Sequence, residues 1–265
     1  EQYIASKART SKKAALPAKF AKPDEIAPML RGAVAFPRGE GRFDRFVADF
    51  RASPKIMEFL ASADLDRLAE SGVSTPDLSI RIKTGPIMLD APDAGDPAGY
   101  AQKVKARVAK YVADYTDYFT GNNARDDVAR TMLDPMPRLA LVPGLGMFGF
   151  GRTYKDARIA SDVGEMWIEA VAGAEAVGTF HPLSKPELFE LEYWSLEQAK
   201  LAGNKPKPLT GQVLLVTGGG GAIGGATAKL FAETGAHVVV ADLDGARAEA
   251  AARAAGNNSS GVACD

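Results

Sequence analysis

Histidine and cysteine are almost missing from this 265-residue chain, which has two imidazoles, His181 and His237, and one thiol, Cys264. A single cysteine excludes an internal disulfide and fits a reducing compartment, so a cytoplasmic location is expected. Two histidines exclude a histidine-rich metal site within the chain, and no metal ligand is assigned. Charge of one sign is not in excess either. The 32 basic and 33 acidic residues leave a formal charge of -1, so no overall field draws the chain to nucleic acid or anionic lipid. No apolar run approaches the roughly 20 residues that cross a bilayer. A soluble protein acting on a small-molecule substrate is expected, with neither nucleic acid nor membrane as partner.

What is present is enough hydrophobic residue, 46%, for packed cores. Glu1 to Lys22 carries Lys7, Arg9, Lys12, Lys13, Lys19 and Lys22 without a sustained apolar stripe, and reads as solvated surface. From Phe43 to Leu68 apolar residues recur at helical spacing around Pro54, predicting two short helices. Leu78, Ile80 and Ile82 alternate with polar residues, predicting a half-buried strand. Asp90 to Pro97 reads as a loop. Tyr100, Val104, Val108, Tyr111, Tyr115 and Phe119 then share one face of a long helix expected to stop at Gly121. A strand at Leu139 to Val142 and a helix from Asp156 to Glu175 follow. Ser184 and Glu187 form a capping box opening a helix that runs through Tyr193 and Leu196 toward Gly203. Asn204 to Pro208, with two prolines and two lysines, resists both helix and strand. The expected division is an α/β region over 1–203, a linker over 204–210 and a second domain over 211–265.

That second domain opens on Val213 Leu214 Leu215 Val216 Thr217, a continuous apolar run expected to form a parallel strand buried on both faces. Gly218 Gly219 Gly220 Gly221 Ala222 Ile223 Gly224 follows at once. Glycines there let the backbone turn tightly and approach a pyrophosphate, while the next helix aims its free N–H groups at the anion. His237 to Ala241 reads as a second strand ending at Asp242, about 20 residues on. A carboxylate at that place accepts the ribose hydroxyls of adenosine and repels a 2′-phosphate, which favours NAD over NADP. A helix at Gly245 to Ala255 and a third strand at Gly261 to Cys264 complete βαβαβ. The expected cofactor contacts are Gly218, Gly220, Gly221, Ala222, Ile223 and Gly224 around the pyrophosphate, Asp242 at the ribose, and Leu243 beside it in sequence.

These residues resemble the short-chain dehydrogenase/reductase family, whose Thr-Gly-x-x-x-Gly-x-Gly pattern is met by Thr217, Gly218 and Gly224, with Ala222 at the middle glycine. The resemblance implies the N-terminal half of a Rossmann fold, truncated, and gives Asp265 an adenine contact. No catalytic residue is assigned, because the family places its Tyr-x-x-x-Lys pair well after the glycine loop, beyond Asp265. Tyr3 and Lys7 have that spacing but precede the loop, and read as chance. Gly144 to Gly149 satisfies Gly-x-Gly-x-x-Gly but alternates with Met147, Phe148 and Phe150, which suits a turn and a short strand. The missing initiator Met and the end at Asp265 suggest a longer protein, expected to be a homo-oligomer when full-length. Half a Rossmann sheet is also expected to expose its first strand.

Asp134 Pro135 Met136 Pro137 Arg138, Val142 to Phe148 and Glu192 to Leu201 resemble bifunctional class II aldolase/short-chain dehydrogenase fusions. That resemblance implies an NAD-dependent oxidoreductase acting on a small hydroxyaldehyde or sugar-derived alcohol, fused to an aldolase-like domain. The family holds zinc through histidines, one expected after Thr-Pro-Asp, but Thr75 Pro76 Asp77 is followed by Leu78. A zinc-dependent sugar-phosphate aldolase and a non-catalytic nucleotide-binding protein stand as alternatives.

Overall fold

The structure, a computed structural model, describes residues 14, 20–125, 128–199, 206–257 and 259–265. Tyr3, Lys7, Asn204 and Lys205 lie outside these. In chain order the elements are α1 (Pro23–Ala33), β1 (Phe36–Gly39), β2 (Arg42–Asp44), β3 (Val47–Arg51), α2 (Pro54–Leu60), α3 (Leu65–Ala69), α4 (Pro76–Ile82), β4 (Ile87–Met88) and α5 (Pro97–Asn123). Then come β5 (Leu139–Val142), β6 (Gly146–Gly151), α6 (Tyr154–Val177), α7 (Lys185–Glu192), α8 (Ser195–Ala199), β7 (Val213–Thr217), α9 (Ala222–Glu233), β8 (His237–Asp242), α10 (Gly245–Ala255) and β9 (Ser260–Ala263). The architecture is mixed α/β. The described residues fall into two compact units, one drawn from Glu1–Val34, Asp49–Gly149 and Ile159–Gly203, the other from Ala35–Ala48, Phe150–Arg158 and Asn204–Asp265. The units are therefore not two consecutive stretches of sequence.

In the first unit β4 pairs parallel to β5, and β5 antiparallel to β6, within a sheet of order β3-β6-β5-β4. Its core joins Leu139, Leu141 and Met147 to Trp167, Ile168 and Val171 of α6 and to Tyr115 and Tyr118 of α5. Trp167 is fully buried, and its indole N–H donates to the Gly72 carbonyl at 2.7 Å, which satisfies the one polar atom such a ring carries inward.

Two predicted elements change type. Phe43 to Phe50 is extended, in β2 and β3, because only Phe46 of its phenylalanines is buried. Phe43 and Phe50 are 47% and 37% exposed, so the helical spacing gathers no common face. Leu78 to Ile82 is the helix α4, not a strand. Thr75 caps it by accepting the Leu78 N–H at 3.3 Å, Pro76 fills its first turn, and Leu78, Ser79, Ile80 and Ile82 are all buried. Burial of the adjacent positions 78, 79 and 80 blurs the 3.6-residue period, and the sequence then imitates alternation. The long helix α5 runs past Gly121 to Asn123. The helix opened by the Ser184/Glu187 capping box breaks at Tyr193 and restarts as α8. Gly144 to Gly151 forms a turn and the strand β6.

In the second unit β7, β8 and β9 make a three-stranded parallel sheet in that order, with Val213 opposite His237 and Val239 opposite Ser260. Val216, Val238 and Val240 point at Ala228 and Ala232 of α9 and Ala248, Ala252 and Ala255 of α10. Alanines let both helices lie close on this one face. The opposite face remains open. Val213 is 36% and Leu215 64% exposed, so β7 is not buried on both faces as its apolar run predicts. A continuous apolar run marks a strand able to be covered twice, and in the described chain helices cover it once.

Candidate functional site

Parallel pairing brings the carboxyl ends of all three strands of the second unit to one edge: Thr217 lies opposite Ala241, and Asp242 opposite Ala263. Ligand crevices of open α/β sheets form at this edge. Gly218 turns the chain there with φ +62°, a left-handed value that glycine adopts without strain. The Gly219 N–H donates to the Ala241 carbonyl at 3.0 Å, and the Gly221 N–H to the Gly218 carbonyl at 3.1 Å. Gly221 is the N-cap of α9, and no side chain caps that helix, so its first N–H groups have no side-chain partner.

The glycines serve different ends. A Cβ at Gly219 would overlap Val240 Cγ1, and one at Gly224 would meet Gly219 Cα at 2.7 Å. Both are required by the fold's own packing. Gly218 has open space where its Cβ would be. Ala222 is tolerated because it sits exposed at the first helical position.

Asp242 organises this edge. Its Oδ1 accepts the Asp244 N–H at 3.2 Å and its Oδ2 the Gly220 N–H at 2.9 Å. Those two donors, the Asp244 amide first, hold the carboxyl below the usual carboxylate range, with the nearby Arg247 charge adding to them. Arg247 Nη2 donates to the Gly220 carbonyl at 3.1 Å, and the Cys264 N–H donates to the Asp242 carbonyl at 2.9 Å.

An open pocket of about 290 Å³ lies beside this carboxylate, lined by Thr217, Gly218, Ala241, Asp242, Leu243, Cys264 and Asp265. Gly218, Asp242, Leu243 and Asp265 of the sequence-derived set share that wall. Gly220, Gly221, Ala222, Ile223 and Gly224 stand in the adjoining loop and helix start, with Ile223 86% exposed. Thr217, Ala241 and Cys264 lie outside the sequence-derived set, although Thr217 ends β7, Cys264 follows β9 and Ala241 precedes Asp242 at the end of β8.

A second polar constellation lies in the first unit. Glu192 is fully buried, with Tyr115 donating to it at 2.7 Å and Tyr118 at 3.1 Å. The Tyr115 and Tyr193 hydroxyls are 2.9 Å apart, and the Leu133 N–H donates to Tyr193 at 3.3 Å. Burial pushes the Glu192 carboxyl up, against the charge of Lys83. Lys83 is 4% exposed, and its Nζ stands 4.6 Å from the Tyr115 ring centre. Nothing in the local sequence marks these residues as a set, because Tyr115 and Tyr118 meet Glu192 across 77 and 74 positions.

Residues 21–201 match the family described as aldolase class II, second domain. The chain belongs to that family. The class II aldolase segment therefore covers the first unit's helices and sheet, and Leu78 follows its Thr-Pro-Asp run from within the core, 7% exposed. A Bacillus subtilis protein named uncharacterized oxidoreductase YuxG is 32% identical over 221 residues, covering 83% of this chain and 31% of that protein. A match of that length in 265 residues reaches past the aldolase segment into β7. Maize sex determination protein tasselseed-2 is 53% identical over 60 residues, 23% of this chain and 18% of that protein. A 2,5-dichloro-2,5-cyclohexadiene-1,4-diol dehydrogenase of Sphingobium indicum is 42% identical over 57 residues, 22% of this chain and 23% of that protein. The chain spans about a third or less of each of these relatives.

Proposed function

We propose that the parallel β7-α9-β8-α10-β9 segment is the first half of a Rossmann fold of the short-chain dehydrogenase type and that it binds the adenosine and pyrophosphate end of NAD. The observation that carries this reading is the Asp242 carboxylate, kept ionised by two backbone N–H groups at the rim of a pocket that the glycine turn also lines. Asp242 would accept the ribose hydroxyls, the first N–H groups of α9 would face the pyrophosphate, and Leu243 and Asp265 would border the adenine. NAD supplies the hydride acceptor. The chain's own residues bind and orient it, and none is assigned the hydride-transfer step.

The oxidoreductase and dehydrogenase names of the relatives support the reaction class. The substrate proposed is a small hydroxyaldehyde or sugar-derived alcohol, delivered beside an aldolase-like domain. The family match favours a second reading for that domain, metal-assisted aldol cleavage, but Leu78 offers only hydrocarbon where a ligand is needed.

Calorimetric titration of the intact protein with NAD tests the main reading. Asp242→Ala is expected to weaken binding about ten- to a hundredfold, the worth of hydrogen bonds to a charged group. No measurable NAD affinity, or an affinity indifferent to this change, would overturn it.

A further inference from the structure

Resting on that coenzyme reading, we propose that Arg247 is a specificity-determining residue of the same site: a cation held in reserve beside the adenosine ribose, masked from a 2′-phosphate by Asp242.

Gly220 is gripped from both ends. Its N–H donates to Asp242 Oδ2 at 2.9 Å, and its carbonyl accepts from Arg247 Nη2 at 3.1 Å. A Cβ built on Gly220 would stand 2.9 Å from Asp242 Oδ2 and 2.9 Å from Arg247 Cβ, so the carboxylate and the stem of the arginine crowd the same side of one backbone residue. Arg247 lies in the first turn of α10, where Asp244 caps the helix by accepting the Ala246 and Arg247 N–H groups at 2.9 and 3.2 Å. That cap fixes where the long side chain starts, while the side chain itself is exposed.

A guanidinium presents five donors in a planar fork. Holding one neutral carbonyl uses one of them, and no other described residue takes the rest. A role confined to that carbonyl would not need the fork, whereas a phosphate engages it two donors at a time. Asp242 prevents this in the native chain by standing at the same glycine with a full negative charge. Selection is then made by a pair. Removing the acid does more than relieve a repulsion, because it releases a ligand.

ADP-ribose and its 2′-phosphorylated form test this without involving nicotinamide. The native protein, Asp242→Asn, Arg247→Met and the double variant would each be titrated with both compounds. The native protein is expected to prefer ADP-ribose at least about tenfold. Asp242→Asn should gain about tenfold or more toward the 2′-phosphate, and Arg247→Met in that background should remove the gain. The gain should also shrink as salt is raised, as a charge contact does and a buried packing contact does not. An equal gain with and without Arg247 would overturn the proposal while leaving the NAD reading intact. A native protein that binds neither compound would overturn both.

Discussion

Glu192 in the first unit and Asp242 in the second are both hydrogen-bonded carboxylates, yet different groups donate to them. Glu192 is sealed in the core and receives phenol hydroxyls from Tyr115 and Tyr118 of α5. Asp242 sits half-buried at a strand tip and receives backbone N–H groups from Gly220 and Asp244. Burial raises the first carboxyl's pKa, and the amides lower that of the second. A carboxyl of the first kind joins α5 to α7 and is closed off from any visitor by its burial. One of the second kind stays ionised at the rim of a pocket. Both are polar groups that the fold has satisfied, but only Asp242 is satisfied in a way that leaves it facing an open pocket.

The largest test of this contrast is on the buried side. Glu192→Ala leaves two phenol hydroxyls without this acceptor inside the core and opens a cavity. It should cost about 3–5 kcal/mol of unfolding free energy, read from urea denaturation. Glu192→Gln keeps an acceptor oxygen and imitates the uncharged acid that burial favours, so its cost should be nearer 1 kcal/mol. Equal costs for the two variants would mean that the ionised form is the one the core requires, and the contrast with Asp242 would disappear.

Lys83 sharpens the same comparison through pH. Burial, with the Arg138 charge beside it, pushes this amine down to about 8. The unfolded chain keeps the proton up to the ordinary lysine range near 10.4, so between these values the unfolded state binds more protons than the folded one. Stability then rises with pH above 8, by at most ~1.4 kcal/mol per pH unit. The rise ends as the unfolded chain's tyrosines ionise near 10, since burial raises Tyr115 and Tyr118 above that value in the folded state. Urea midpoints between pH 7.5 and 9.5 should therefore climb in the native protein and stay flat in Lys83→Met. A climb that survives the substitution would place its origin elsewhere.

Sequence reading reached these two carboxylates unequally, and the reason is distance along the chain. Gly218 to Gly224 and Asp242 belong to one βαβ unit. Backbone geometry alone requires glycine at Gly218, and strand and helix lengths set the spacing to Asp242, so local rules suffice to place them at one edge. The helix at Gly245 to Ala255 was legible for the same reason, since Asp244 caps it and alanine fills it. Arg247 escaped notice because its partner is the Gly220 carbonyl, 27 positions away, and no propensity encodes that contact. Glu192 with Tyr115 and Tyr193 is a tertiary set invisible to any window. Phe43 to Phe50 and Leu78 to Ile82 misled for a further reason: periodicity reports which residues are apolar, and burial decides which face they share.

The smallest expected effect closes the comparison from the other side. Asp242 is acceptor to two amides, but it sits at the solvent edge, where water can replace it as their partner. Asp242→Asn should therefore change unfolding free energy by no more than about 0.5 kcal/mol while still weakening NAD binding. The sign of its pH dependence follows from the depressed pKa. Whatever stability the carboxylate gives is present above the ordinary aspartate range and is lost only as pH falls through the folded value, opposite in direction to Glu192, whose raised pKa makes stability fall as pH rises through its titration. Thermal unfolding of native and Asp242→Asn proteins at pH 7 and pH 4 would read both. If the substitution destabilised the fold as severely as Glu192→Ala, Asp242 would be holding the glycine loop together, and its place beside the pocket would owe more to architecture than to a ligand.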